Sequence, residues 1–166
     1  MVIEACRALD DEIDFREYDR NGDGVVDNVF VFYAGGGEAT GAGANTVWPH
    51  SYSLSSAEKS LTLDGVKIDT YGCTNEVVDN HPDGVGTFCH EFSHVLGLKD
   101  EYDTDYEGSG GQSVDPGDWS LMAGGSYLNK ARTPVGYSLM QRYQSGFTVP
   151  KVVATAGEYT PVSYTH

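Results

Sequence analysis

The feature that most constrains the fold of this chain is the stretch HEFSHVLGLKD, which runs from His90 to Asp100. Residues 84–97 place apolar side chains at helical spacing, and Gly97 stands where a left-handed residue commonly ends a helix. On such a helix His90 and His94 are four positions apart and therefore share one face. A fold that contains this stretch must hold two imidazoles side by side and turn the chain sharply at Gly97.

The two histidines and the glutamate that follows the first of them are typical of a catalytic zinc site. Zinc in such sites binds imidazole nitrogens and keeps one coordination position open for water. We predict that His90 and His94 bind zinc and that Glu91 serves as the general base. The alternative is that two surface histidines share an exposed helix face and bind no metal.

A catalytic zinc ion needs a third protein ligand, and Asp100 is the candidate with suitable spacing. Gly97 permits the positive φ of a sharp helix exit, and Asp100 follows it three residues later. Carboxylate oxygen is a known zinc ligand, so an aspartate can stand where a histidine often stands. Glu101 and Asp103 are nearby rivals, but neither has the turn spacing.

Stretches outside this motif carry a resemblance to a known family. Met122 lies in DWSLMAGGSY, and H-E-x-x-H-x-x-G-x-x-D followed by such a methionine resembles the aspartate variant of the metzincin zinc motif. With RTPVGYSLMQRY, DRNGDGVVDNVFVFYAGGGEA and VWPHS, the chain resembles the immune inhibitor A-type secreted bacterial metallopeptidases over about residues 15–147. Ser93 departs from the glycine usual in that family, and Cys89 precedes the first ligand, but neither departure removes a ligand.

This resemblance implies a fold, a function and a location. The fold would be α+β, a metzincin-like zinc peptidase domain over residues 1–147 with a mixed twisted sheet, an active-site helix and a C-terminal helix. Residues 148–166 would be a short β tail, at the edge of this domain or at the start of another. Met122 would form the Met-turn beneath the histidines, and Gly97 would support the zinc site. The protein would be a secreted or cell-surface endopeptidase, a monomer that acts on protein or peptide substrates.

The stretch DRNGDGVVD is similar to a calcium-binding loop. Five residues supply oxygen atoms at the first, third, fifth, seventh and ninth positions, the seventh through its backbone carbonyl: Asp19, Asn21, Asp23, Val25 and Asp27. The twelfth position, where an EF-hand has a bidentate glutamate, is Phe30, so the loop is not an EF-hand. We predict a Ca²⁺ ion in this loop, and a plain Asn-Gly turn is the alternative.

Charge and cysteine content restrict the partners of the chain. It carries 10 Lys and Arg against 25 Asp and Glu, a net charge of −15, which disfavours nucleic acid and anionic membrane surfaces as partners. No apolar run approaches the ~18 residues of a transmembrane helix, so membrane insertion is not expected. Three cysteines allow at most one internal pair, for which Cys73 and Cys89 are candidates.

Periodicity and turn residues predict the elements around the zinc motif. These are a helix over residues 2–12, a strand from Val25 to Tyr33, a β-hairpin around Asp64-Gly65, a helix over 84–97, and a last helix from Thr133-Pro134 to Gly146. The predicted apolar face of the helix over 84–97 consists of Val85, Phe88, Phe92, Val95 and Leu96. The residues of the last helix expected to point inward are Val135, Leu139 and Tyr143.

A different class of function is compatible with the same residues. A calcium-stabilised adhesion or binding module could keep a zinc site without hydrolysing anything, although such a site has no need of Glu91. A zinc hydrolase of small amides is a third hypothesis, and Met122 disfavours it. His50 is interpreted as a structural histidine rather than a fourth ligand. Tyr127 is either a stabiliser of a developing oxyanion or a packed loop residue.

Overall fold

The main sheet has three strands, and it lies against the helix that carries the histidines. In this computed structural model, which describes residues 1–159, β1 (Val29–Tyr33) runs parallel to β5 (Thr70–Asn75). Strand β2 (His50–Ser53) is antiparallel to β5. The strand predicted from Val25 thus begins later. Val25 forms only an isolated bridge with Lys67, because the chain there pairs with the hairpin and not with the sheet.

The hairpin predicted around Asp64-Gly65 is confirmed. Strand β3 (Leu61–Leu63) pairs antiparallel with β4 (Val66–Ile68). The two turn residues have φ values of 52° and 86°, the positive values that a tight hairpin with right-handed strand twist requires. A second two-stranded pair, β6 (Val77–Val78) and β7 (His81–Pro82), leads directly into the histidine-bearing helix.

The apolar core joins the hairpin to the first helix, α1 (Val2–Ala8). Its buried members are Val2, Cys6, Phe15, Val26, Leu54, Leu61, Val66 and Ile68. Helix α1 is shorter than the predicted span of 2–12 and ends at Leu9. The residues that follow form turns, in which the N–H groups of Glu12 and Ile13 donate to the carbonyl of Leu9.

Helix α2 (Val85–Val95) confirms the predicted helix, and Gly97 follows it with a φ of 89°. The predicted apolar face is only partly correct. Phe88 packs edge-on against Phe30 of β1 with ring centroids 4.7 Å apart, but Val85 is 56 % exposed. The buried positions of α2 are instead Gly86, Thr87, His90, Glu91 and Ser93. The helix therefore buries several polar residues, and its Phe88 packs against Phe30 of the sheet.

The last helix begins later than predicted. Helix α4 (Leu139–Gln144) starts after Ser138, whose hydroxyl accepts the backbone N–H of Gln141 while the Gln141 side chain accepts that of Ser138. This reciprocal cap defines the helix start more strongly than Thr133-Pro134 does. Two of the three expected inward residues are wrong, since Leu139 and Tyr143 are more than half exposed, whereas Val135 is half-buried and Gln141 is fully buried.

Short helical turns occupy the remaining connections. Four are 3₁₀ turns, at Phe15–Tyr18, Glu38–Thr40, Gly117–Trp119 and Gly124–Tyr127. The segment α3 (Leu128–Ala131) contains Asn129 and Lys130 with left-handed dihedral angles. Residues 148–159 contain no strand, contrary to the predicted β tail, and residues 160–166 lie outside the described part of the chain. The division at residue 147 stays a prediction.

Two other expectations concern the chain as a whole. Cys6, Cys73 and Cys89 are all free thiols, so the disulfide considered for Cys73 and Cys89 is not formed. Within residues 1–159, no helix has the length and apolar character needed to cross a bilayer.

Candidate metal centre

Three side chains converge at the C-terminal half of α2 and the turn that follows it. Asp100 Oδ1 lies 3.1 Å from His90 Nε2 and 3.4 Å from His94 Nε2. Among the residues that the structure describes, these three form the one group of His, Cys, Asp and Glu side chains close enough to share a metal ion, with ligand atoms within 4.8 Å of one another. The structure thus brings together the three residues that the sequence predicts as zinc ligands.

The outer nitrogen of each imidazole is held by a backbone carbonyl. His90 Nδ1 lies 2.9 Å from the carbonyl oxygen of Leu121, and His94 Nδ1 lies 2.9 Å from that of Leu98. A carbonyl can only accept, so each Nδ1 carries the proton and each neutral ring presents the lone pair of Nε2 to the shared point. This is the tautomer that a metal-binding histidine needs.

The donor set fits a divalent cation. Asp100 Oδ1 is buried and, within the described residues, has no hydrogen-bond partner of good geometry. Three electron-pair donors that face one another repel unless a cation or protons lie between them.

Without a metal, protons on the imidazoles reduce this repulsion. The hydrogen bond with Asp100 raises the pKa of His94. At His90, burial lowers the pKa, but the Asp100 carboxylate and the Leu121 carbonyl outweigh it, so the pKa is raised overall. Burial by itself would raise the pKa of Asp100. The imidazoles of His90 and His94 outweigh it, and the pKa of Asp100 therefore lies below its usual range.

Glu91 lies in the same buried region and is 8 % exposed. Burial raises the pKa of its carboxyl group, while the neighbouring imidazoles of His90 and His94 oppose that rise. A carboxylate with a raised pKa accepts a proton more readily near neutral pH than an exposed one. Its role as the general base stays a prediction.

The turn after α2 places Asp100, and not Glu101 or Asp103, beside the two histidines. Gly97 N–H donates to the carbonyl of His94, and Leu98 N–H donates to that of Ser93, which folds the chain back against the helix. Leu98 is buried, and this anchors the turn. Glu101 points elsewhere, since its Oε2 accepts the Ser120 hydroxyl at 2.6 Å.

The other rival, Asp103, is also engaged away from the site. Its carboxylate accepts the backbone N–H groups of Asp105 and Ser113. Neither Glu101 nor Asp103 therefore competes with Asp100 for the position between the histidines.

Met122 lies fully buried in the loop that supports His90. Its carbonyl accepts the N–H of Glu101 at 2.9 Å, and the carbonyl of the preceding residue, Leu121, orients His90. The loop around Met122 thus contacts both the helix and the Asp100 turn. The supporting role of Met122 and Gly97 at the zinc site stays a prediction.

Burial and, after it, the acidic groups of this region raise the pKa of two tyrosines, Tyr102 and Tyr127. Tyr102 was not singled out by the sequence interpretation, yet its ring is nearly parallel to that of His90 with centroids 6.3 Å apart. Burial, followed by the charge of Asp100, raises the pKa of Tyr102 to about 12. Burial and then the charge of Glu91 raise the pKa of Tyr127. The only sequence signal for Tyr102 was its position two residues after Asp100, and that signal is weak.

His50 belongs to the sheet and not to the metal group. Its Nδ1 lies 2.7 Å from the Trp48 carbonyl, and its Nε2 lies 3.1 Å from the Tyr71 hydroxyl. Both ring nitrogens are therefore used in hydrogen bonds, as expected of a structural histidine.

The loop from Asp19 to Asp27 closes on its own backbone. Asp19 accepts the N–H groups of Asp23 and Gly24, Asn21 Oδ1 also accepts that of Asp23, and Asp23 Oδ1 accepts that of Val25. Within residues 1–159, Asp19, Asp23 and Asp27 are not gathered into a group that could share a metal ion. Calcium in this loop stays a prediction.

Comparison with known proteins decides the family. The family described as "Immune inhibitor A peptidase M6, catalytic domain" matches residues 8–146. This chain belongs to that family. Among curated proteins, it is similar to immune inhibitor A of Bacillus thuringiensis subsp. alesti, with 32 % identity over 142 residues that cover 75 % of the chain and 20 % of the relative. It is also similar to the pre-pro-metalloprotease PrtV of Vibrio cholerae serotype O1, with 35 % identity over 130 residues that cover 68 % of the chain and 14 % of the relative.

These matches confirm the resemblance that the motifs indicated. The chain spans a fifth of the first relative and 14 % of the second. The residues matched by the family, 8–146, contain all three candidate ligands, Glu91 and Met122. The family is a peptidase family, and its metalloprotease members imply a bound metal, for which His90, His94 and Asp100 are the candidate ligands.

Proposed function

We propose that this domain is a zinc-dependent endopeptidase that hydrolyses peptide bonds in protein substrates. The observation that carries the proposal is the convergence of His90 Nε2, His94 Nε2 and Asp100 Oδ1, with both outer nitrogens held by carbonyls. The set of two imidazoles and one carboxylate has the composition of catalytic zinc sites, which keep a fourth position open.

The proposed residues have two roles in hydrolysis: some bind the metal, and Glu91 transfers a proton. His90, His94 and Asp100 would hold the ion, which, when bound, supplies charge that polarises the scissile carbonyl and makes a water molecule more acidic. Glu91 takes the proton of the attacking water and delivers it to the leaving amine. The raised pKa that burial gives Glu91 suits both steps, because the group must first accept this proton and then release it.

Tyr127 and Tyr102 are the proposed hydrogen-bond donors to the oxyanion that develops on the substrate carbonyl. Burial and, after it, the charges of Glu91 and Asp100 raise the pKa of both phenols, so the hydroxyl groups keep their protons at neutral pH. Donors aimed at a developing negative charge commonly contribute a large share of a rate enhancement.

Other parts of the interpretation remain proposals that the family membership supports. They are a metzincin-like topology for the α+β domain, the function of Met122 as the Met-turn residue, and secretion or display at the cell surface. A Ca²⁺ ion in the loop from Asp19 to Asp27 is proposed on the sequence pattern alone. Monomeric protein is expected.

Removal of zinc tests the proposed function. The purified chain should cleave casein, lose this activity on dialysis against a zinc chelator, and regain it when one equivalent of Zn²⁺ is added. A chelator that is selective for calcium serves as the control, and it should leave the zinc content unchanged. Cleavage that persists without zinc would contradict the proposal. Zinc binding without cleavage would instead favour the adhesion or binding module.

A further inference from the structure

The buried amide of Gln141 has no part in the proposed chemistry, yet it contacts the loop that orients His90. Gln141 lies on α4 and is fully buried. Its Oε1 accepts the backbone N–H of Ser138 at 2.9 Å. Because a backbone N–H can only donate, the NH₂ group of the amide must face the other way, where it donates to Ser120 Oγ at 2.8 Å.

This orientation fixes the hydrogen bonds of Ser120. Its Oγ accepts from Gln141 Nε2 and from the backbone N–H of Met122, which lies 3.1 Å away. Both lone pairs are then used, so the single hydroxyl proton goes to Glu101 Oε2 at 2.6 Å. The hydroxyl of Ser120 thus joins α4, the loop of Met122 and the turn that carries Asp100.

Each arm of this network ends beside a proposed zinc ligand. Leu121 lies between Ser120 and Met122, and its carbonyl receives the Nδ1 proton of His90. Glu101 follows Asp100 directly, and its N–H donates to the Met122 carbonyl. A shift of Ser120 would therefore move the carbonyl that orients one ligand and the backbone next to another.

We propose that Gln141, Ser120 and Glu101 form a positioning network that sets the zinc affinity of the site. The inference rests on the proposed zinc site and adds three residues that touch neither metal nor substrate. Outer partners that orient metal ligands typically change metal affinity by about 10–100-fold when they are removed. Within the network Gln141 and Ser120 are buried and hydrogen-bonded to each other, so the loss of this contact should change zinc affinity within that range.

The test measures the zinc dissociation constant of the full chain by competition with a chromogenic chelator. Gln141→Met keeps the length of the side chain but removes its donor and acceptor, and it should weaken zinc binding about 10–100-fold. Gln144→Met is the matched control, because Gln144 is an exposed glutamine on the same helix. The control should bind zinc as tightly as wild type.

A second pair of variants keeps the proposal testable if Gln141→Met fails to fold. Glu101 is exposed, so its replacement does not disturb the core. Glu101→Ala leaves the Ser120 proton without its acceptor and should weaken zinc binding by about 10-fold or more. Glu101→Gln retains an acceptor oxygen and should stay close to wild type. The combination of Gln141→Met with Glu101→Ala should lose less than the product of the two single effects, since both act through Ser120.

The outcomes separate this inference from the proposed function. Wild-type protein that binds zinc, together with Gln141→Met and Glu101→Ala proteins that bind it equally tightly, would overturn the positioning network alone. A lower melting temperature with an unchanged zinc dissociation constant would assign these residues a purely structural role and would also overturn it. Wild-type protein that holds no zinc would overturn both proposals.

Discussion

Glu91→Gln should reduce kcat/KM for casein or a peptide substrate by about 10²–10⁴-fold, the contribution typical of a general base. The amide has nearly the shape of the carboxylate, so the buried site should stay intact. Gln cannot take a proton from water at neutral pH, and the attack would lose its proton acceptor. The variant should still contain one zinc per chain, because Glu91 is not among the three converging ligands.

Glu12→Gln is the matched control for this experiment, since Glu12 is an exposed carboxylate in the turn after α1. It should cleave at the wild-type rate. Full activity of Glu91→Gln protein would exclude Glu91 as the general base. Loss of zinc together with loss of activity would show instead that Glu91 takes part in holding the metal.

Asp100→Ala should abolish zinc retention, with a loss of affinity larger than the ~100-fold that removal of an outer partner produces. The remaining histidines would present only two nitrogens, fewer than the three protein ligands of catalytic zinc sites. Inductively coupled plasma mass spectrometry after dialysis measures the zinc content directly. Cleavage of casein should fall in parallel with that content.

Asp103→Ala is the informative comparison, because the sequence offered Asp103 as a rival ligand and the structure engages its carboxylate elsewhere. This variant should keep its zinc. If Asp100→Ala protein retained zinc while Asp103→Ala protein lost it, the third ligand would have been assigned to the wrong aspartate.

The convergence of His90, His94 and Asp100 could be predicted from the sequence because its geometry is local. A spacing of four residues places His90 and His94 on one helix face, and Gly97 determines how the chain returns to bring Asp100 beside them. The hairpin at Asp64-Gly65 was predictable for the same reason, since the two turn residues themselves specify the turn.

Elements that depend on distant contacts could not be predicted in this way. The apolar pattern of α2 predicted that its aromatic face would be buried. The structure leaves Phe88 and Phe92 half-buried and buries Glu91 and Ser93, whose hydroxyl group contacts that of Tyr137, 44 residues away. The start of α4 was misplaced for a different reason, because two local signals compete there and Thr133-Pro134 was preferred to the capping box of Ser138 and Gln141.

The positioning network shows the same limit. Ser120 lies 19 residues after Glu101 and 21 residues before Gln141 along the chain. A buried glutamine on a short helix carries no local pattern that distinguishes it from an exposed one. Tyr102 was missed for a similar reason, because its packing on His90 depends on the turn at Gly97.

The most direct test of the central claim is X-ray absorption at the zinc edge on the purified wild-type chain. We expect two imidazole nitrogens at ~2.0–2.1 Å and oxygen ligands at ~2.0–2.2 Å, with no sulfur. Such a spectrum would support two histidines, one carboxylate and an open position for water. A sulfur neighbour at ~2.3 Å would instead place a cysteine thiolate at the metal and contradict the assignment of His90, His94 and Asp100 as its protein ligands.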